Sequence, residues 1–326
     1  MTGPREVKAE AGEDRFASRF PATHAPSSSL VNPSASAFAP ANDGGHPATT
    51  HPHRVGKHQL RQLSAQLGER DWAILRSVAE HHFLTVTQIC ALHFHDLSPS
   101  SRLRRTQRVL GRLRTAGVLG TLTRRIGGMQ AGSHGLVHYV AAAGERLLRL
   151  ESGAPVRQRW HEPSARFAAH HVAVADLRIE LETAHRDGAL ELVRREVEPV
   201  AWRRYTGLGG VLVTLKPDAY FETAVPPGSD FVDAWLVEVD LGHETIPTLI
   251  KKCHEYEQYR RQGIEQEDGG FPLVIWSLTH TDAAKADRRR TALHEAIAAD
   301  RQLDPAMFRV TAPEHTQPLM QKGAAL

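Results

Sequence analysis

Cysteine is nearly absent. Cys90 and Cys253 are the only two in 326 residues. They fall far apart and in different expected domains, so the chain offers neither a disulfide framework nor a Cys-based zinc site, and the usage fits a reducing cytosol. Long apolar runs are missing too: no stretch approaches the roughly 20 apolar residues that span a bilayer. The first residues carry no apolar h-region, so no secretory signal is expected. These absences predict a cytoplasmic protein with no membrane partner. Gly207-Leu208-Gly209-Gly210 lacks the Gly-Lys-Ser/Thr ending of a phosphate loop and reads as a turn. The most informative gap is one of charge. Between Asp96 and Glu145 there is no acidic residue, against eight arginines.

The rest of the composition is ordinary. Hydrophobic residues make up 41% and charged residues 24%, as in soluble globular proteins. The net charge of +3 is mild, while 20 histidines and a pI near 9.0 leave room for a local basic face. The length accommodates two domains and a tail. Residues 1–65 are rich in Pro, Ala, Ser, Thr and His with no hydrophobic period. Such a segment cannot bury enough apolar surface to offset its ordering entropy, so a disordered tail is expected. Its His46, His51 and His53 read as solvated residues rather than metal ligands.

Residues 66–150 read as a winged helix-turn-helix. Trp72, Leu75 and Ala79 recur at helical spacing. Thr85 and Gln88 form a capping box that opens a second helix, and Ser98-Pro99 opens a third, which Gly117 closes. Val118 to Ile126 and Leu136 to Ala141, separated by Gly-rich turns, form a hairpin. On the third helix Leu103, Thr106, Leu110, Leu113 and Gly117 share one side. Arg104, Arg105, Arg108 and Arg112 share the other. An apolar face that docks on a core, opposite a cationic face, suits a recognition helix. Arg102 on this helix, and Arg124 and Arg125 on the first strand of the wing, extend the basic patch toward double-stranded DNA.

A linker is expected over 151–162, an α/β domain over 163–312 and a flexible end over 313–326. Ala165 to His185 reads as an amphipathic helix, with His170 and His171 on its apolar stripe as core or interface histidines. Strands are expected over Leu190 to Arg203, Val211 to Leu215, Phe231 to Val237, Pro272 to Leu278 and near Phe308 to Val310. Helices are expected over Thr245 to Gln262 and Asp282 to Ala299. The Pro272 to Leu278 run is apolar throughout and so central in a sheet. Asp218 and Glu238 sit in or beside apolar strands, where an unpaired carboxylate costs too much. Side chains of neighbouring strands can converge on one hard cation, Mg²⁺ or Mn²⁺.

Pro217-Asp218 followed by Glu238-Val239-Asp240 resembles the PD-(D/E)xK nuclease superfamily, with Asp240 in the place of the lysine. Some members carry that lysine on the following helix, and here Lys251 and Lys252 fall there. Lys252 shares its face with Tyr256 and Tyr259 and is preferred; Lys251 shares its face with Glu255. Pro-Asp-Ala, Glu-x-Asp and a helix with Lys-x-x-x-Tyr-x-x-Tyr also resemble the actinobacterial replication-relaxation family of plasmids and other mobile elements, from about Asp71 to about Thr311. The resemblance implies a mixed α+β fold: a winged helix-turn-helix fused to a restriction-endonuclease-like sheet flanked by helices. It implies Asp218 and Glu238 as catalytic metal ligands and Lys252 as the phosphate-facing cation. Asp240 is either a further ligand or a structural hydrogen-bonding group. Glu180 or Glu182 would be an accessory acid on the first helix. The activity implied is Mg²⁺- or Mn²⁺-dependent DNA cleavage or nicking. The alternative is a non-enzymatic DNA-binding regulator whose nuclease-like domain serves assembly. Other replication or mobilisation proteins, or a second copy of the chain in a homodimer, are further partners left open.

Overall fold

Residues 69–122 and 136–140 fold around side chains that repeat at helical and strand periods. The computed structural model describes residues 56–122, 136–153, 164–266 and 270–324. The first elements are α1 (Lys57–Gln66), α2 (Glu69–His81), β1 (Leu84–Thr85), α3 (Val86–His93), α4 (Pro99–Thr115), β2 (Leu119–Thr121), β3 (Val137–Val140) and α5 (Ala142–Ser152). The strands form a small antiparallel sheet in the order β1-β3-β2. The capping box is present at the start of α3: Gln88 N donates to Thr85 Oγ1 at 3.2 Å and Thr85 N donates to Gln88 Oε1 at 2.8 Å. Pro99 opens α4, and Gly117 follows it at φ +67°, a conformation that favours glycine. Ile74, Leu75, Val78, Ile89, Phe94, Leu110 and Leu113 make the core of this layer.

Two expectations shift here. The tail predicted to run to residue 65 gives way earlier, because α1 begins at Lys57 and seats Leu60 in this core. Leu60, Leu63 and Leu67 are spaced for one helical face, a period hidden by the polar residues between them. On α4, Leu103 is 44% exposed; the buried face starts one turn later at Thr106. The tip of the expected hairpin, including Arg124 and Arg125, lies outside the described residues, as does most of the expected linker.

The second layer contains α6 (Ala165–Arg186), β4 (Glu191–Val197), β5 (Arg203–Thr206), β6 (Leu212–Leu215), β7 (Ala219–Ala224), β8 (Asp233–Asp240), α7 (Ile246–Arg260), β9 (Leu273–Leu278), α8 (Ala283–Ala299), β10 (Phe308–Thr311) and α9 (Pro313–Lys322). Five strands form one mixed sheet, β10-β9-β8-β7-β4. The β4-β7-β8 part is antiparallel, and β8-β9-β10 is parallel with α7 and α8 as crossovers. Leu236, Val274 and Trp276 face Leu249, Tyr256 and Leu293 of α7 and α8. Trp235, Val237 and Ile275 face Leu177, Leu181 and Met320 of α6 and α9. This is the alternation a sheet covered on both faces requires.

The expected strand over Val211 to Leu215 is not in this sheet. It pairs with β5 as a separate hairpin, with Val211 and Leu212 exposed; an apolar run at the surface was read as a buried one. The strand next to β8 is instead β7, which starts immediately after Asp218. The expected long strand over Leu190 to Arg203 stops at Val197 and turns before β5. The end expected to be flexible from 313 is helical, with Thr316 and Met320, one turn apart, fully buried.

The two layers share α6. Its Ala168, Val172 and Ala175 pack toward the first layer, and its Val174, Leu177 and Leu181 pack on the sheet. Arg178, buried on this helix, donates to Glu80 Oε2 at 2.6 Å and to His81 Nε2 at 2.7 Å on α2. Pro52–Leu326 accordingly forms one compact unit.

Candidate functional site

The arginine face of α4 is solvent-exposed. Arg102, Arg104, Arg105 and Arg108 are exposed, and among the described residues none of them has an ion-pair partner. Arg112 differs. Its guanidinium donates to Asp71 Oδ1 at 2.6 Å, and Asp71, 6% exposed, also accepts from Gly68 N at the start of α2. Arg112 therefore ties α4 to α2 rather than standing free with the other four.

A second cluster of charge forms where β4, β7 and β8 end side by side. Register does the positioning. Glu198 N donates to Asp218 O, and Asp218 N donates to Val237 O, each at 3.0 Å. Glu198 just past β4, Asp218 just before β7 and Glu238 on β8 thus lie side by side on neighbouring stretches of chain, about 4.8 Å apart. Asp218 Oδ2 accepts from Val239 N at 2.7 Å. Glu238, 3% exposed, accepts from Tyr256 Oη at 2.6 Å through Oε1 and from Lys252 Nζ at 3.2 Å through Oε2. Burial and the nearby charge of Asp218 push the Glu238 carboxyl up to about 8. Burial works against the Lys252 charge, but Glu238, Asp218 and Glu244 outweigh it and raise its pKa.

Two histidines from α6 complete this end of the sheet. His170 Nε2 lies 3.2 Å from Asp218 Oδ1 and 3.6 Å from Glu198 Oε1. Burial opposes protonation of this ring, but its hydrogen bonds to the two carboxylates prevail and push it up to about 10. His171 Nδ1 approaches the same Glu198 oxygen at 3.4 Å, while its ring packs among Phe83, Phe167 and His82. Burial holds His171 down near 4. His170, Glu198 and Asp218 each offer a donor atom, and these lie within 4.8 Å of one another.

The residues expected from the sequence divide as follows. Asp218, Glu238 and Lys252 come together. Asp240 has structural surroundings: Gly242 N and His243 N donate to its Oδ1 at 3.0 and 3.1 Å, and Arg289 binds its Oδ2. Both oxygens fasten the turn that leads into α7. Glu182 pairs with Arg195 at 3.0 Å. Glu180 lies near Asp176 and Glu314, and burial with those charges raises it to about 7. Neither belongs to the Asp218 cluster. His170, read from the sequence as a core or interface residue, and Glu198, not singled out, do belong to it. The available signal was Glu198 closing a strand of alternating Val, Glu and Arg; what the sequence did not give was the pairing of that strand with the one after Asp218.

Among the described residues no helix is long and apolar enough to cross a membrane. A replication-relaxation family model matches residues 75–274, which run from α2 into β9 and include α4, His170, Glu198, Asp218, Glu238 and Lys252. A solved structure of the restriction endonuclease FokI bound to DNA shares 13% identity, with a TM-score of 0.24, over 79% of this chain and 45% of that one. The chain thus spans less than half the length of that protein. No curated protein matches the chain in sequence.

Proposed function

We propose a DNA-directed role for this chain, which belongs to the replication-relaxation family: a DNA-binding protein of a plasmid or other mobile element that cuts or nicks DNA with Mg²⁺ or Mn²⁺. The observation that carries this reading is the meeting of Asp218, Glu238 and Lys252 at one end of the sheet. The α1–α5 layer acts as a winged helix-turn-helix. Exposed Arg102, Arg104, Arg105 and Arg108 on α4 contact phosphates and base edges, and the long-range attraction of this patch steers double-stranded DNA onto the protein.

At the sheet, Asp218 and Glu238 fit a hard divalent ion. Two buried carboxylates close enough to raise the Glu238 pKa repel each other, and a shared cation relieves that repulsion. Such an ion, when bound, supplies positive charge at the scissile phosphate and lowers the pKa of an attacking water. The chain's own residues do the rest. Tyr256 fixes the rotamer of Glu238 through its hydroxyl. Lys252, now paired with Glu238 and Glu244, turns to the phosphate and neutralises the charge that develops there.

A second reading, a DNA-binding regulator without cleavage, is favoured by one feature: both Glu238 oxygens already have partners, and Asp240 occupies the lysine's place in the motif. Incubation with supercoiled plasmid and Mg²⁺ or Mn²⁺ decides between them. The cleavage reading expects relaxed or linear product that Glu238→Ala abolishes. Intact plasmid with DNA binding preserved establishes the regulator.

A further inference from the structure

The Asp218–Glu238 pair leaves His170 and Glu198 without a task. His170 meets Asp218 through Oδ1 and Glu198 through Oε1, while Glu238 and Lys252 meet each other. Three features make this a built site rather than a chance cluster. The donors differ in kind, one imidazole and two carboxylates. Their spacing is that of neighbouring ligands: 3.2 Å and 3.6 Å from His170 Nε2 to the two oxygens. A six-coordinate ion with bonds of about 2.1 Å puts adjacent donors about 3.0 Å apart, and a four-coordinate one somewhat more. The Asp218 carboxylate is also held from behind, as ligands are in metal sites. Val239 N binds the second oxygen of Asp218 at 2.7 Å, which leaves Oδ1 for the ion.

We propose that His170, Glu198 and Asp218 form a divalent-metal site of their own, sharing Asp218 with the Asp218–Glu238 pair and selecting Mn²⁺ or a similar transition ion over Mg²⁺. The selectivity follows from the nitrogen ligand. Imidazole suits first-row transition ions, whereas Mg²⁺ takes oxygen donors and retains its waters. His170 comes from α6, which also packs on α2 and α3 of the arginine-bearing layer. An ion here links that shared helix to the sheet end. The proposal rests on the preceding functional reading only in taking Asp218 as a ligand.

The test is Mn²⁺ binding to the full chain, followed by calorimetry and by electron spin-echo modulation, which detects nitrogen bonded to the ion. The unaltered chain is expected to bind Mn²⁺ at least tenfold more tightly than Mg²⁺ and to show nitrogen modulation. This signal is read on the unaltered chain, so it stands whether or not any variant folds. His170→Gln is expected to remove the modulation and weaken Mn²⁺ at least tenfold, and Glu238→Gln to retain the modulation. Absence of nitrogen modulation overturns the proposal. So does modulation that survives His170→Gln, since it then comes from another histidine. Plasmid cleavage is scored separately. A chain that cuts with Mg²⁺ but shows no nitrogen-bound Mn²⁺ overturns this site and spares the Asp218–Glu238 reading. A chain that binds Mn²⁺ through His170 but never cuts does the reverse.

Discussion

The arginines of α4 and the charged groups at the end of the sheet are opposite uses of charge. On α4 four like charges stand in water without acidic partners among the described residues, 102 to 108 along one helix. At the sheet end each charge is at least partly buried and is matched by another: Lys252 by Glu238, His170 by Asp218 and Glu198. Charges in water act over a Debye length, about 8–10 Å, and yield to salt. Buried ones act through contact geometry and yield to a single misplaced atom. The first kind of arrangement suits a polyanion that can move; the second suits one ion or one phosphate fixed in one place.

The largest effect is expected where the exposed charges are removed together. Replacing Arg102, Arg104, Arg105 and Arg108 with Ala is expected to flatten the salt dependence of DNA binding by about 3–4 in log–log slope, near 0.9 for each lost phosphate contact. Between 50 and 200 mM salt, the unaltered chain would then lose about a hundredfold more affinity than the variant. Anisotropy titrations at several salt concentrations check this. An unchanged slope would remove α4 from the DNA interface and leave the comparison with one functional side.

The buried side is sharpened by Asp218→Asn, which keeps the shape and removes one charge. If Asp218 is a ligand, a divalent ion at a hundred times its Kd stabilises the unaltered chain by about 2.7 kcal/mol, and the variant gains little of this. Melting curves with and without Mn²⁺ measure the difference. Equal stabilisation of both proteins would place the ion elsewhere.

What was legible in the sequence follows the same division. The α4 face could be read because a helix displays its sides at a fixed period, and Arg104, Arg105 and Arg108 needed no partner to be recognised. The capping pair Thr85 and Gln88 was local in the same sense. Asp218, Glu238 and Lys252 were found through a motif. His170 and Glu198 were not, because their meeting depends on β4 pairing with β7 and on which way α6 turns against the sheet. Neighbouring His170 and His171 differ by about 100° on the helix, enough for one to reach Asp218 and the other to pack on Phe83 and Phe167 beside Glu198. Val211 and Leu212 misled for the converse reason: apolar sequence marks a strand but not which sheet receives it.

Acid separates the layers by a different property. His138 is 1% exposed in the small sheet, and burial holds its imidazole down near 4. Because its folded pKa lies below the unfolded value of about 6.5, the unfolded chain takes up the proton first. The stabilising effect is complete above pH 6.5 and is lost as pH falls toward 4. At pH 5 the loss attributable to His138 is about 2 kcal/mol. His138→Gln is expected to flatten this part of the stability–pH curve, measured by urea unfolding between pH 5 and 7.5. An identical curve for the variant would show that His138 is not the group responsible.

The smallest effect tests the boundary of the comparison, at Arg112. By its position this arginine belongs to the exposed stripe, but it is joined to Asp71, which is buried and also caps the start of α2. If the pairing governs its role, Arg112→Ala loses little of the DNA-binding salt slope, unlike Arg108→Ala, which is expected to lower it by about one. The cost appears in folding instead. Half of the Arg112 side chain is exposed, so water screens the pair and the loss should stay below about 1 kcal/mol. Asp71 retains its bond from Gly68 N, which limits the penalty of leaving it without the arginine. Denaturant unfolding and DNA titration of both variants give four numbers. A slope loss for Arg112→Ala as large as that for Arg108→Ala would mean that DNA displaces Asp71 from Arg112, and that the exposed face extends one turn further along α4.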